Sequence, residues 1–359
     1  MRVAILGAGN IGLASTAWLF QSGNHPILWS PIAQDMGQLQ ANHNLLSFTG
    51  VMTGQCQPEI STDIGYVVDT ADVIFICVPG YAHKTALDAI VPHLRNGQPV
   101  IINNACSLSA LYLSKRLAAR HINTPIITWG TTLLTARRQA NGCEVAIMAI
   151  RKFVHVATLP IGENHAAIAL CTALFGHRFR AQKNILATSL ININPIAHLG
   201  LALCNITRIE RQESWPQYHY LTPGVANLIA SLEKERQLLA RQFGLQIHSI
   251  EEHFQQSFDV SQPTLAEIAA ELHRKRGGPP GPTTMDTRFI MEDTPYGLVF
   301  AEAVAQKAGI QLTLHSSVIN VVAAIWDKDL RHENNILPEL GLEDMSLAEF
   351  NQVIGSGYR

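Results

Sequence analysis

The spacing of apolar residues changes once along this chain, and the change divides it into two parts. In the first part, short apolar runs alternate with stretches of helical spacing, a pattern typical of a doubly wound parallel sheet with helices on both faces. Strands are predicted at residues 2–6, 26–29, 71–79, 99–104 and 125–129, and helices at 10–22, 80–94, 108–121 and 163–174. Residues 143–150 and 152–159 are predicted to form a strand pair, followed by a short strand near 177–180.

From about residue 183 onward, apolar residues recur every three or four positions and the strand signal almost disappears. We therefore predict an α/β fold plus an all-α fold, with a sheet domain at 1–182 and a helical domain at 183–359. The proline-rich stretch at 277–284 is predicted to be a rigid exposed loop within the helical domain.

Composition narrows the class of protein. The 359 residues include 47% hydrophobic and 15% charged residues, and the formal net charge is −2. The chain therefore carries no basic field for a nucleic acid or an anionic membrane, and we interpret the short basic run at 273–278 as a solvated loop. The apolar stretch at 186–206 is predicted to be too polar to span a bilayer, because it is broken by Ser189, Asn192, Asn194 and His198.

The cellular context follows from the N-terminus and the cysteines. The chain opens on a strand and a glycine turn, so no secretory signal is expected. The six cysteines are widely and irregularly spaced without a CxxC pair, which predicts neither a disulfide framework nor a metal site. We expect a cytoplasmic protein, and the sequence leaves the oligomeric state open, with a homodimer as the candidate.

A glycine motif follows the first predicted strand. Gly7, Gly9 and Gly12 form G-x-G-x-x-G, the fingerprint of a Rossmann dinucleotide site. In such sites the glycines allow a tight turn, close approach of the pyrophosphate and close packing of the helix on the strand. We expect Asn10 and Ile11 to line the same site, because the helix that begins here directs its amide donors at the phosphates.

Three further positions are expected to complete the cofactor site. Val78 and Pro79 end a buried strand, and ligands of parallel sheets bind at the carboxyl ends of the strands. Ser30 ends the second strand, where NAD-binding proteins place a carboxylate for the ribose 2′-hydroxyl. Without a carboxylate nothing there repels a 2′-phosphate, but no arginine follows immediately either. We favour NADP(H), with NAD(H) as the alternative.

Hydride transfer to a C=O or C=N group needs a proton donor and a cation for any substrate carboxylate. His198 is the best donor candidate, because polar residues such as Asn194 recur around it in an apolar helical stretch. The chain has 15 histidines, however, and a core histidine is the alternative. Asp293 is a candidate partner whose Asp-Thr-Pro context also fits a helix N-cap. Arg288 is the candidate cation, with a surface ion pair as its alternative.

Several motifs resemble the opine dehydrogenase family, which includes octopine and nopaline synthases and carboxyethyl-norvaline dehydrogenase. They are GAGNIG at 7–12, TTLLTARR at 131–138, NPIAH at 194–198, YHYLTPGV at 218–225, EKERQLLA at 233–240 and GPTTMDTRFIMEDTPYGLV at 281–299. The last is the most discriminating, since it is similar to a GP…RY-x-x-ED-x-P-x-GLV signature. Two residues depart from the family pattern, Trp129 before the TT motif and Met291 before the Glu-Asp pair, and both put the substrate in doubt.

This resemblance implies a Rossmann domain followed by an all-helical domain. It also implies reductive condensation of an amino acid with a 2-oxo acid such as pyruvate, through an imine that NAD(P)H reduces. The catalytic histidine of the family falls on His198, its supporting aspartate on Asp293 and its substrate-binding arginine on Arg288, with Asn194 expected nearby. We expect small-molecule substrates, no nucleic acid and no membrane.

Two other functions fit the same two-domain plan. A reductase similar to ketopantoate reductase or glycerol-3-phosphate dehydrogenase would rely on a lysine for proton transfer, and Lys183 and Lys234 lie in no comparable motif. A nonenzymatic NADP(H) sensor would not need His198, Asp293 and Arg288 together. Activity with pyruvate, NADPH and a panel of amino acids separates these alternatives.

Overall fold

The structure is a computed structural model that describes residues 1–30 and 32–358. These residues form two compact units: Met1–Ser189 with the C-terminal segment from Ala348 onward, and Leu190–Leu347. The division thus lies seven residues beyond the predicted boundary, and the last residues belong to the first unit. The helical periodicity of these last residues resembles that of the second unit, which is why the sequence assigns them to it. In the structure, the Tyr358 backbone N–H donates to Ser114 Oγ of the first unit at 2.9 Å.

The first unit contains two sheets among the described residues. The strands are β1 (Arg2–Leu6), β2 (His25–Trp29), β3 (Leu46–Gly50), β4 (Gly54–Cys56), β5 (Glu59–Ile60), β6 (Val73–Ile76), β7 (Val100–Ile102), β8 (Ile126–Trp129), β9 (Leu134–Arg138), β10 (Glu144–Ile150), β11 (Val154–Leu159) and β12 (Phe179–Ala181). The main sheet has the order β12-β11-β8-β7-β6-β1-β2-β5, and the second has the order β4-β3-β10-β9. In the main sheet the pairing is parallel except between β8 and β11.

Helices accompany the first unit and build the second. The helices are α1 (Asn10–Gln21), α2 (Ala33–Ala41), α3 (Ile64–Thr70), α4 (His83–Ile90), α5 (Ser109–Ala118), α6 (Asn164–Phe175), α7 (Ile185–Leu190), α8 (Asn194–Cys204), α9 (Ile206–Glu210), α10 (Pro223–Gln242), α11 (Ile250–Ser257), α12 (Leu265–Arg276), α13 (Arg288–Met291), α14 (Phe300–Lys307), α15 (Thr313–Trp326), α16 (Leu337–Leu340) and α17 (Leu347–Ser356). No named strand lies beyond β12 in the described residues. The predicted fold class, α/β followed by all-α, is confirmed.

The predicted strand pair at 143–150 and 152–159 is wrong. Both segments are strands, but β10 lies between β3 and β9 in the second sheet, while β11 pairs with β8 in the main sheet. The break after Ile150 carries the chain from one sheet to the other, and Arg151 Nε donates to the Thr132 carbonyl there at 2.9 Å. Periodicity identifies a strand, but it does not identify a partner that is distant in the sequence.

Trp129 belongs to the core of the first unit. Its side chain is fully buried, with its ring centroid 5.1 Å from that of Phe75 and 5.2 Å from that of Phe175. Its indole Nε1 donates to Cys171 Sγ at 3.4 Å. Trp129 therefore serves packing between the sheet and α6, and an effect of this departure on a substrate or cofactor pocket stays a prediction.

The stretch Ile185–Cys204 also differs from its prediction. It is long and apolar enough to cross a membrane by length and composition, so the sequence-based exclusion on polarity is wrong. However, 67% of it is buried inside the protein, as in the core helix of a soluble protein. The structure also divides it into α7 and α8.

The proline-rich loop at 277–284 is only partly exposed. Pro279 and Pro280 are exposed, as predicted, but Gly281 is buried against Trp215. A Cβ at Gly281 would lie 2.2 Å from Trp215 Cε2, and Trp215 Nε1 donates to the Pro282 carbonyl at 3.0 Å. Glycine is required here because the loop backbone lies directly on the indole ring.

Candidate active site

Three glycines shape the turn between β1 and α1. Gly7 has φ +120°, and a Cβ there would lie 2.8 Å from the Cys77 carbonyl oxygen, so only glycine fits beside the end of β6. A Cβ at Gly12 would lie 1.7 Å from the Gly7 carbonyl oxygen, which explains the close packing of α1 on the turn. At Gly9, by contrast, a Cβ would meet no described protein atom within 4 Å. Protein packing therefore does not require glycine at position 9, whereas close approach of a dinucleotide would.

The start of α1 fits a dinucleotide phosphate. Gly9 occupies the N-cap position, and within the described residues α1 has neither a side-chain cap nor an acidic residue in its first turn. Helix N-termini of this kind bind anions through backbone N–H groups and the helix dipole. Ile11 is partly buried, and the exposed Asn10 accepts a hydrogen bond at Oδ1 from the Arg138 backbone N–H at 2.8 Å.

The remaining predicted cofactor residues lie at the ends of neighbouring strands. Val78 and Pro79 follow β6 and are partly buried, and β6 pairs with β1. Ser30 follows β2, which pairs with β1 on its other side. The Ser30 side chain is buried, and its Oγ accepts a hydrogen bond from the Ile32 backbone N–H at 3.3 Å. The predicted cofactor positions therefore surround the carboxyl end of β1.

In the second unit, His198 and Asp293 are in direct contact. Their separation in sequence is 95 positions, yet His198 Nδ1 lies 2.8 Å from Asp293 Oδ2. The Asp293 side chain is 6% exposed and that of His198 is 21% exposed. An ionised carboxylate only accepts hydrogen bonds, so Nδ1 is the donor when Asp293 is ionised. The other ring nitrogen, Nε2, takes no part in this contact.

Asp293 does not cap a helix. It occupies the N-cap position of a π-helical segment, Thr294–Val299, but its side chain makes no cap hydrogen bond and bonds to His198 instead. The N-cap alternative raised by the Asp-Thr-Pro sequence is therefore not supported by the geometry. Single π-helical turns within helices are frequent at functional sites, because they displace side chains from regular helical positions.

Close packing holds the two segments together. α8 begins at Asn194 with Pro195 in its first turn, which places His198 one turn later. A Cβ at Gly297 would lie 2.3 Å from Pro195 Cβ, so glycine lets the π-helical segment approach the start of α8. On the other side, Asn334 Nδ2 donates to the Pro295 carbonyl at 2.8 Å. These contacts fix the backbone on both sides of the histidine–aspartate pair.

An aromatic ring covers one face of the imidazole. Phe289, on α13, stacks on His198 with a centroid distance of 3.8 Å and an angle of 1° between the rings. Sequence reasoning missed this residue. The available signal was its place in the Arg-Phe dipeptide of the 281–299 motif, where the family pattern has Arg-Tyr.

Arg288 and Asn194 lie on the two elements that carry this site. Arg288 is the first residue of α13; its side chain is 54% exposed, and its Nε lies 3.3 Å from Glu292 Oε2. Asn194 is four positions before His198 on α8, so both side chains lie on one face of that helix. Glu292 is thus the partner that the ion-pair alternative for Arg288 requires. The same contact also holds the guanidinium against α13.

The described residues contain no group of three or more histidine, cysteine, aspartate or glutamate side chains that could hold a metal ion. The chemistry that these side chains supply is proton transfer and ionic binding. The turn after β1 leads into a helix N-terminus without a side-chain cap, which is a kind of site that can bind an anion.

Comparisons with known proteins agree with both units. Residues 181–326 match the family model described as NAD/NADP octopine/nopaline dehydrogenase, alpha-helical domain. Residues 3–147 match the model described as ketopantoate reductase PanE/ApbA. The match to the ketopantoate reductase family model therefore covers only the N-terminal part of the chain, which carries the glycine turn.

Known relatives cover the full length. An opine dehydrogenase from Arthrobacter sp. (strain 1C) is 30% identical over 356 residues, which is 98% of each chain. An octopine dehydrogenase solved with NADH and agmatine has a TM-score of 0.79 at 14% identity, covering 97% of this chain and 98% of that one. An NADP⁺-bound yersinopine dehydrogenase has a TM-score of 0.74 at 16% identity, covering 99% and 98%. These two structures are similar in fold.

Proposed function

We propose a reaction for this chain, which belongs to the opine dehydrogenase family and is an NAD(P)-dependent oxidoreductase acting on CH–NH bonds. In the reductive direction, the amino group of an amino acid adds to the carbonyl carbon of a 2-oxo acid such as pyruvate. Loss of water gives an imine, and addition of a hydride and a proton gives the secondary amine. The observation that carries the proposal is the 2.8 Å contact between His198 and Asp293 beneath the Phe289 ring.

His198 is the proposed general acid. With Nδ1 engaged by Asp293, protonated His198 presents Nε2–H to the substrate. This group polarises the carbonyl oxygen during amine addition, or protonates the nitrogen as the imine is reduced. In the oxidative direction, neutral His198 accepts the proton at Nε2. A positioned general acid–base group of this kind contributes a rate factor on the order of 10²–10⁴.

Asp293 and Phe289 are the proposed positioning residues for that acid. The Asp293 carboxylate fixes the tautomer and the orientation of the imidazole ring, because it accepts a hydrogen bond from Nδ1 at 2.8 Å. The Phe289 ring adds a cation–π contribution when the imidazole is charged, because the ring face is electronegative.

Substrate binding is assigned to Arg288 and Asn194. The guanidinium of Arg288 offers a planar fork for a substrate carboxylate, and its half-exposed position on α13 leaves it accessible to a ligand. Asn194 offers amide donors and an acceptor on the same face of α8 as His198. Both substrates of the proposed condensation carry a carboxylate, which fits a cationic side chain on the helix that also carries Phe289.

The cofactor supplies a hydride when bound, and this chain's own residues hold it. The amide groups at Asn10 and Ile11 would bind the pyrophosphate, and the absence of a side chain at Gly9 gives it room to approach. Val78 and Pro79 would line the same site. The family binds NAD(P)H, and we favour NADP(H) because Ser30 stands where a carboxylate would repel a 2′-phosphate. The similar structures include an NADP⁺ complex of yersinopine dehydrogenase and an NADH complex of octopine dehydrogenase, so the choice rests on Ser30.

The decisive experiment mixes the purified chain with NADPH, pyruvate and a panel of amino acids, and identifies products by mass spectrometry. We expect nicotinamide oxidation only when both pyruvate and an amino acid are present, with one N-carboxyethyl amino acid formed for each NADPH consumed. NADH is tested in parallel, and His198→Ala serves as a control that keeps dinucleotide binding.

Other outcomes distinguish the alternatives. Oxidation of NADPH by a 2-oxo acid without an amine would indicate a carbonyl reductase similar to ketopantoate reductase. Dinucleotide binding without turnover across the amino-acid and 2-oxo-acid panels would favour the sensor. The amino acid is identified by the panel itself. A cytoplasmic location and a homodimer stay predictions, tested by fractionation and by the mass of the protein in solution.

A further inference from the structure

A cationic side chain reaches the glycine turn from a distant part of the sequence. Arg138 ends β9, in the second sheet, and β9 packs against α1. Its backbone N–H donates to Asn10 Oδ1 at 2.8 Å, and its guanidinium Nη1 donates to the Ala8 carbonyl at 3.3 Å. The guanidinium therefore lies against the G-x-G-x-x-G turn, 126 positions after the last residue of that motif, Gly12 (138 − 12).

The other side of the guanidinium faces α2. Arg138 Nη2 lies 3.5 Å from Gln38 Oε1, and Cys143 Sγ donates to the Gln38 carbonyl at 3.1 Å. A Cβ at Gly142, which has φ +68°, would lie 2.8 Å from Arg138 Nη2. The absence of a side chain at Gly142 thus makes room for the guanidinium. The β9–β10 hairpin positions Arg138 between the glycine turn and the helix that follows Ser30.

This position is where a Rossmann site holds the phosphates of its cofactor. The pyrophosphate binds at the start of α1, and the adenosine ribose binds near the end of β2. Arginine binds phosphate through two parallel N–H donors and keeps its charge throughout the working pH range. In the sequence, no such arginine follows Ser30 immediately. In the structure, the second sheet supplies one instead.

We propose that Arg138 binds a phosphate group of the dinucleotide, either the 2′-phosphate of NADP(H) or the pyrophosphate common to both cofactors. The inference rests on the proposed function, because it takes the glycine turn as the dinucleotide site. The guanidinium contacts of Arg138 with Ala8 and Gln38 hold its fork at the turn before the ligand arrives. Such preorganisation lowers the entropic cost of binding.

Arg137 is a matched control. It is the preceding residue on β9 and is exposed, whereas Arg138 is half-buried on the strand face shared with Ala136. The side chains of adjacent strand residues point to opposite faces of the sheet. Substitution of either arginine therefore removes one positive charge from β9, but only substitution of Arg138 removes it from the glycine turn. The backbone hydrogen bond from residue 138 to Asn10 survives any side-chain substitution there, except to proline.

The test measures dissociation constants for NADPH and NADH by titration of ligand-free protein. We expect Arg138→Gln to weaken NADPH binding on the order of 10- to 100-fold, as for a lost charge-assisted hydrogen bond, and Arg137→Gln to leave it unchanged. Loss for NADPH alone identifies the 2′-phosphate, and equal loss for both cofactors identifies the pyrophosphate. Arg138→Lys should recover part of the affinity, because it restores the charge without the fork.

Wild-type affinity of Arg138→Gln for both cofactors would overturn the inference, as would an equal loss in Arg137→Gln. Thermal unfolding of the ligand-free variants checks that each is folded, and Arg138→Met replaces the glutamine variant if that one is not. Failure of the wild type to bind either dinucleotide would instead overturn the proposed function, so the two failures are distinguishable.

Discussion

The contact between Gly297 and Pro195 gives a quantitative test of how the site is built. A Cβ at residue 297 would lie 2.3 Å from Pro195 Cβ and 2.4 Å from Pro195 Cγ. Carbon atoms pack at about 3.5–4.0 Å, so in Gly297→Ala the two segments must separate by roughly 1.5 Å. This displacement acts on the segments that carry Asp293 and His198.

We expect two consequences. Overpacking of this kind costs about 1–3 kcal/mol of unfolding free energy. A misplacement of about 1 Å in a catalytic pair lowers turnover by up to roughly 10²-fold. Dinucleotide affinity should not change, because the glycine turn lies in the other unit. Urea denaturation, steady-state turnover and NADPH titration measure the three quantities.

Gly224→Ala is the control for the added methyl group. Gly224 is exposed in the first turn of α10, and a Cβ there would meet no described atom within 4 Å. This variant should retain turnover and be as stable as wild type or up to about 1 kcal/mol more stable, since alanine is the better helix former. Wild-type stability and turnover in Gly297→Ala would refute the account of close packing at Pro195.

Three further predictions follow from other contacts. Burial lowers the pKa of His83 to about 4, although a hydrogen bond with the Val78 backbone opposes this shift. The neutral imidazole therefore makes its full contribution to the unfolding free energy above the unfolded-state pKa of about 6.5. That contribution is lost as the pH falls toward 4. Wild type should then lose about 3 kcal/mol more than His83→Gln between pH 7 and pH 4 in denaturant titrations, and equal losses would contradict this. Ser30→Asp should lower kcat/KM for NADPH relative to NADH, and an unchanged ratio would remove Ser30 from the ribose site. Arg236→Met should lower the unfolding free energy by about 3–5 kcal/mol, because it removes the cation from the buried Glu233 carboxylate, now 2.7 Å from Arg236 Nε, and leaves the neutral Gln237 Nε2 as a donor; a loss below about 1 kcal/mol in urea denaturation would be inconsistent with that pairing.

Most strands of the main sheet and the helices of the second unit were predictable because their signals are local, although the partner of β11 was not. β1, the glycine turn and α1 follow one another within 21 residues, and the apolar runs of β6 and β8 mark buried strands. The second sheet was not predictable, because its short strands gain their stability from distant partners. β3 pairs with β10, about 100 positions later, and no periodicity encodes that pairing.

Site prediction depended on more than the pattern of the residues. Without the family motifs, His198 is one of 15 histidines, and nothing local connects it to Asp293. The stacking of Phe289 and the approach of Arg138 to the glycine turn were missed for the same reason, since both arise from tertiary packing. Asp293 shows the opposite case, where a local sequence signal for an N-cap is overridden by a partner elsewhere in the fold.

The proposed mechanism requires His198 and Asp293 to act as one unit, and a double-mutant cycle in the condensation assay measures whether they do. His198→Ala should lower kcat on the order of 10²–10⁴-fold, and Asp293→Asn should lower it while leaving NADPH binding intact. The double variant should be little worse than the worse single variant, because groups that act as a unit are not additive. Full activity of Asp293→Asn, or losses that multiply in the double variant, would contradict the claim.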